Sequence, residues 1–147
     1  MLFNVLALWM LVFVLFGIVG MQLWMGQLHN CCTDMTTGAR LLDEATMQAM
    51  RCGGEKSCPA GYECYEKNPL TDEYWKNPNA GTTSFDNYGW SVVTLFQSMT
   101  MEGWVAINFF TWDVMSVGCI AYWLTLMLFC AYFVVSLATA VVYSNFR

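Results

Sequence analysis

Thr100-Met101-Glu102-Gly103-Trp104 places one carboxylate between two apolar stretches. Upstream, Phe85 to Met99 reads as a short, mostly apolar helix; downstream, Val114 to Phe146 carries no Asp, Glu, Lys or Arg. An acid in so apolar a setting is costly unless it faces water, a partner or an ion. Rings of acidic side chains are one means by which membrane pores select cations, so the chemistry suggested for Glu102 is cation coordination. Cysteine is the other reactive type. Cys31, Cys32, Cys52, Cys58 and Cys64 cluster in a polar stretch, which reads as disulfides formed in an oxidising compartment. Zinc is the competing reading, but the only histidine is His29 and no tight Cys-x-x-Cys pair occurs. Five cysteines leave at least one unpaired, several connectivities stay open, and Cys58 with Cys64 is the local pairing expected. Cys119 and Cys130 lie in the apolar run and read as small packing residues.

The elements that must position these residues follow from how the charge is distributed. Hydrophobic residues make up 57% of the chain and charged residues 12%, against about 25% charged in a typical soluble domain. Met1 to Cys32 is also free of Asp, Glu, Lys and Arg, and most of the charge falls between Asp34 and Asp86. A spanning helix needs about 20 predominantly apolar residues, and both charge-free runs supply them. The first run is too long for the apolar part of a signal peptide and has no basic residues before it. The net charge of −5 disfavours nucleic acid and polybasic lipid contacts and suits a surface that meets cations. No His–carboxylate or nucleophile constellation stands out, so enzyme chemistry is not expected.

The expected fold class is an all-α membrane protein: two transmembrane helices flank a re-entrant hairpin, below a cysteine-rich extracellular segment. Residues 1–26 form the first unit, with a helix from Leu2 to Trp24 in which Gly17 and Gly20 permit close packing. Trp24 and His29 fall at the membrane interface, where His29 is expected to be solvated. Residues 27–83 are the polar, disulfide-bonded unit, with a short helix over Leu41–Met50 and turns at Gly53-Gly54, Pro59-Ala60-Gly61 and Asn77-Pro78-Asn79-Ala80-Gly81. Residues 84–113 hold a helix capped by Thr83 or Ser84, with Asp86 or Asn87 in its first turn. They continue through the break at Thr100–Gly103 to a return helix over Val105–Phe110, with Asp113 at its outer end. Non-helical backbone at membrane depth is tolerated only where it is buried in protein or lines water. Residues 114–147 carry the last helix, Met115 to Tyr143, followed by Arg147 as a cytoplasmic-end residue. Its inner end around Val141 is apolar and is expected to form part of a gate, since hydrophobic constrictions can close by dewetting. No repeated Arg/Lys pattern marks a voltage sensor.

The order helix, cysteine-rich segment, short helix, T-x-E-x-W break, short helix, helix resembles the pore module of one repeat of a eukaryotic four-repeat voltage-gated cation channel. The carrying residues are Asn77-Pro78-Asn79, Thr83-Ser84-Phe85-Asp86-Asn87, Thr94-Leu95-Phe96-Gln97 and Thr100-Met101-Glu102-Gly103-Trp104. The long segment before them and the TMEGW break look most like the first repeat of a calcium channel. The resemblance implies that Glu102 is the selectivity carboxylate, with the Thr100 and Met101 carbonyls lining the filter beneath it and Trp104 anchoring it. It implies Asp113 in the outer vestibule. The family's last helix usually carries Asn in a motif like F-x-x-N-L; Phe133-Val134-Val135-Ser136-Leu137 has Ser136 there, which puts a gating role at that position in question. It implies a multi-pass plasma-membrane protein with no cofactor beyond permeant calcium. The implied partners are three further pore repeats or subunits, the lipid bilayer and auxiliary channel subunits. A sodium-selective or sodium-leak channel of the same architecture is the near alternative. A non-conducting membrane scaffold with a disulfide-bonded ectodomain is the alternative of another class.

Overall fold

The computed structural model describes residues 2–44 and 47–145. Ala45, Thr46 and Arg147 lie outside the described residues. The chain is mostly helical. Helix α1 spans Leu2–Trp24, α2 Tyr88–Met99, α3 Trp104–Val114 and α4 Cys119–Asn145. One small sheet departs from the all-α expectation: β1 (Cys31–Thr33) runs antiparallel to β2 (Glu63–Tyr65), with Cys32 opposite Cys64.

Helix α1 holds no charged residue, and its stretch Leu6–Trp24 is the one helix among the described residues that is long and apolar enough to cross a membrane. Leu8, Met10, Leu11 and Leu15 stand exposed along it, while Phe13, Gly17, Gly20 and Trp24 form its inward face. That spacing of three to four residues is one helical stripe. The expectation for Trp24 changes accordingly. It is fully buried in protein, with its ring 5.1 Å from Phe85, 4.8 Å from Tyr122 and 6.0 Å from Trp123. Aromatic pairs at such separations add attraction beyond the area they bury. This cluster joins the end of α1, the approach to α2 and the start of α4. Two hydrogen bonds fix its partners: Tyr122 Oη donates to the Phe16 carbonyl at 2.8 Å, and the buried Trp123 Nε1 donates to Thr111 Oγ1 at 2.8 Å, joining α4 to α1 and α3.

Residues 27–83 fold around two disulfides, Cys32–Cys58 and Cys52–Cys64. The local pairing of Cys58 with Cys64 is therefore replaced by two interlocked links, because β1 and β2 bring Cys32 and Cys64 side by side and each reaches a different loop. Cys31 is the unpaired cysteine and is buried, as are the thiols of Cys119 and Cys130. The Leu41–Met50 helix does not form. Leu42 bridges Ala49, and the Leu41 amide bonds the Cys32 carbonyl while the Cys32 amide bonds the Met50 carbonyl. Backbone pairing with β1, pinned by the Cys52 disulfide, outweighs a helix propensity that amounts to only a few tenths of a kcal/mol per residue.

Helix α2 begins three residues later than expected. Its cap is Asn87, whose side chain accepts from the Trp90 amide at 3.0 Å. Thr83 and Ser84 are both buried and otherwise engaged: the Ser84 amide donates to Thr94 Oγ1 at 3.0 Å, and Thr94 Oγ1 donates back to the Ser84 carbonyl. Helix α3 continues one turn past Phe110, so Asp113 lies within it rather than beyond it. The chain then bends at Met115 (φ −126°, ψ −90°), and α4 starts at Cys119 instead of Met115.

Gly20 makes the α1 packing testable. A Cβ there would stand 2.6 Å from Phe85 Cε1 and 2.9 Å from Tyr122 Oη. Gly20→Ala should destabilise the fold by about 1–3 kcal/mol, the usual cost of overpacking. Val19→Ala, on the exposed face, should change it little. Thermal unfolding in detergent checks both, and equal melting temperatures would contradict this packing.

Candidate functional site

The reversal between α2 and α3 takes four residues. Helix α2 ends at Met99 and is capped by Thr100, whose amide bonds the Phe96 carbonyl at 3.0 Å and whose hydroxyl donates to the Gln97 carbonyl at 2.8 Å. Met101 then adopts φ +61° and Gly103 φ +69°. Two left-handed residues in three turn the chain back at once. Gly103 fits that conformation freely, whereas Met101 is a non-glycine outlier. Such strain persists only where the surroundings hold it, and it is typical of functional loops. The Met101 amide bonds the Ser98 carbonyl at 3.1 Å, and the Gly103 carbonyl receives the Ile107 amide at 3.2 Å, so both ends are stitched to helix.

Thr100, Met101, Glu102 and Gly103 are exposed together, and Trp104 is half-buried as the first residue of α3. Among the described residues the ion pairs join His29 to Asp86, Lys56 to Asp113 and Lys67 to Asp72, so none engages Glu102. The negative end of α2 points at this loop, which favours a cation there.

The structure brings Thr100, Met101, Glu102 and Trp104 to one turn and leaves the other sequence-derived candidates elsewhere. Asp113 is at the far end of α3, about 16 Å away by helical rise, with its Oδ2 2.7 Å from Lys56 Nζ. Ser136 is half-buried on α4 and lines a cavity of about 220 Å³ between α4 and α1 together with Asn4, Leu8, Trp9 and Phe133. Val141 is exposed further along α4.

The supporting centre is one that sequence reasoning missed. His29 is not a solvated interfacial residue. Its Nε2 lies 3.1 Å from Asp86 Oδ2, and its Nδ1 bonds the Trp75 carbonyl. Both partners are acceptors, so both ring nitrogens donate when the ring is protonated, and the site favours that form. The bond to Asp86 raises the His29 pKa above its ordinary value, burial opposes this, and the Trp75 carbonyl adds to it. Asp86 in turn is held well below the carboxylate range, first by His29, against burial, then by the Gly26 amide, Asn77 and Ser84. A His–carboxylate pair thus exists after all, across 57 residues of sequence. Asn77-Pro78-Asn79 and Phe85-Asp86-Asn87 were the available signal, but as a turn, a helix start and carriers of the resemblance they held no link to His29. Arg51 is a second buried centre: Nη1 donates to the Leu28 carbonyl and to Cys31 Sγ, and Nη2 donates to the Lys76 carbonyl.

One candidate span among the described residues, a disulfide-braced polar segment and a strained, acid-bearing reversal between short helices form a combination that comparison with known proteins makes explicit. Residues 1–147 match the family described as ion transport protein, and the chain belongs to that family, one of channels and not of enzymes. The chain is 34% identical over 146 residues to the muscle calcium channel subunit alpha-1 of Musca domestica, covering 99% of this chain and 8% of that protein. It is 33% identical over 134 residues to the voltage-dependent R-type calcium channel subunit alpha-1E of Rattus norvegicus, covering 90% of this chain and 6% of that one. The rat T-type subunit alpha-1G is 29% identical, with 99% of this chain and 8% of that protein covered. The chain is thus homologous to a short part of voltage-gated calcium channel alpha-1 subunits, which places it in a membrane, and it spans less than a tenth of their length.

The His29–Asp86 pair carries a pH prediction. The His29 pKa is raised, so its contribution is complete below its ordinary 6.5 and is lost as pH rises through the raised value. The Asp86 contribution is complete above its ordinary 3.8 and is lost only as pH falls through its depressed value. The Gly26 amide, which donates to Asp86 Oδ1 at 3.0 Å, reports on the junction. Its hydrogen-exchange protection factor should be maximal between those two ordinary values and decline toward alkaline pH. His29→Gln should abolish the alkaline decline, and a decline unchanged in that variant would contradict the assignment.

Proposed function

We propose that this chain forms one quarter of the pore of a voltage-gated calcium channel. In this reading α1 is the outer pore helix and α4 the inner one. Residues 27–83 form an extracellular turret, and α2, the Thr100–Gly103 loop and α3 make the re-entrant hairpin of residues 84–113. Glu102 contributes the selectivity carboxylate, the Thr100 and Met101 carbonyls line the path below it, and Trp104 anchors the loop against a neighbouring repeat. The apolar inner end of α4 around Val141, with Ser136 above it, belongs to the gate. The partners are three further pore repeats, the bilayer of the plasma membrane and auxiliary subunits, and the permeant ion is calcium.

The observation that carries this reading is the exposed Glu102, without a cationic partner among the described residues, on a reversal strained at Met101. One such carboxylate binds calcium weakly. Several around one axis repel each other: two unit charges 4 Å apart interact by about 4 kcal/mol at an effective dielectric of 20. A divalent ion relieves that repulsion better than a monovalent one and takes the oxygen ligands it prefers. Release requires that binding be shared among sites, which the carbonyls below the carboxylates provide.

The test is calcium block of monovalent current in the assembled channel. Glu102→Gln keeps the size and removes the charge. Block should weaken about tenfold, a loss of about 1.4 kcal/mol. Clustered carboxylates also hinder one another's ionisation. Mildly acidic external solution should therefore reduce current, and Glu102→Gln should blunt that response. A variant that reaches the surface with block and acid response both unchanged would remove Glu102 from the permeation path.

A further inference from the structure

The far end of α3 is held by an unusual contact. An acid in the last turn of a helix is opposed by the helix's own partial negative charge, yet Asp113 occupies that turn. Lys56 reaches it from the disulfide-bonded segment, with Nζ 2.7 Å from Oδ2. Two residues earlier in the same loop, the Gly54 amide donates to the Val114 carbonyl at 3.0 Å, satisfying one of the carbonyls a helix leaves unpaired at its end. The approach is possible only for glycine. A Cβ on Gly54 would stand 1.6 Å from the Met115 carbonyl oxygen, and one on Gly53, at φ +139°, would stand 2.9 Å from that of Val114. The loop is closed on itself by the Gly53 amide to the Lys56 carbonyl at 3.4 Å, and it hangs directly from Cys52, which is bonded to Cys64.

We infer that Gly54, Lys56 and Asp113 are positioning residues that latch the disulfide-bonded segment onto α3 and thereby fix the Thr100–Gly103 loop at the helix's other end. The inference deepens the pore reading given above and rests on it for the ionic consequence. Helix α3 runs unbroken from Trp104 to Val114, with Ile107, Phe110 and Val114 buried. A displacement at Val114 therefore reaches Gly103, where Met101 is already strained. Asp113, neutralised by Lys56, acts here as a tether and not as a free vestibule charge.

The sign of one experiment separates tether from charge. In the full-length channel, Lys56→Met and Gly54→Ala should each weaken calcium block of monovalent current by about threefold or more, after normalisation to surface expression. The charge exchange Lys56→Asp with Asp113→Lys should restore block to within about twofold of the parent. A through-space role for Asp113 gives the opposite sign: uncovering its charge would tighten block, and the exchange would not restore it. Tighter or unchanged block in Lys56→Met and Gly54→Ala would overturn the latch. Deuterium uptake over residues 98–107 gives a readout independent of ions. It should rise in both single variants and return in the exchange, and flat uptake would overturn the latch even if Glu102 proved irrelevant to permeation. A changed block in Glu102→Gln alongside an unchanged one in the latch variants would leave the pore reading standing and discard the latch.

Discussion

Asp86 accepts hydrogen bonds from the Gly26 amide, His29, Asn77 and Ser84, with distances from 2.6 to 3.1 Å. Those donors belong to the exit of α1, the beginning and end of the disulfide-bonded segment and the approach to α2. One carboxylate thus ties together the points where four stretches of chain meet. A half-buried carboxylate left without these partners would be desolvated in part with nothing to offset it, and the charge-assisted bonds are worth roughly twice neutral ones. The arrangement fixes where α2 begins. With Asn87 as cap it also fixes the phase of α2, and so where Thr100 to Gly103 emerge.

The fold holds the reversal from both sides. On one side α2 is set by Asp86, by Thr94 bonded twice to Ser84, and by Phe85 in the cluster of Trp24, Tyr122 and Trp123. On the other, α3 is set by Thr111 bonded to Trp123 of α4 and by the contact of Gly54 and Lys56 with its last turn. The polar segment is therefore more than a soluble cover. Its two disulfides shorten the loops that carry Lys56 toward α3 and His29 toward Asp86, and a crosslink of this kind acts largely by restricting the unfolded chain.

What the sequence made legible, and what it hid, divides along sequence distance. Helix α1 and the reversal at Thr100–Gly103 are local features: a charge-free apolar run, and an acid with glycine between apolar helices. The existence of disulfides was legible from the clustering of cysteines. Their pairing was not, because Cys32 meets Cys58 and Cys52 meets Cys64 only once β1 and β2 have paired. Leu41–Met50 has helix-forming residues and was misread because its partners are the backbone of Cys32, outside any local window. The roles of His29, Asp86 and Lys56 depend on neighbours 57 to 60 positions away, which no periodicity reveals. The ion pair of Asp113 with Lys56, from the middle of the polar segment, was hidden for the same reason.

If Glu102 faces the path of the ions, a thiol in its place meets reagents that enter that path. Thiol accessibility in the full-length channel tests it most directly. A cysteine is placed by Glu102→Cys and a positively charged methanethiosulfonate reagent is applied from outside. Current should be lost irreversibly, and the rate of modification should be slowed by millimolar external calcium because ion and reagent compete for one site. Reaction at a rate indifferent to calcium, or no change in current although the thiol is shown to be labelled, would contradict it.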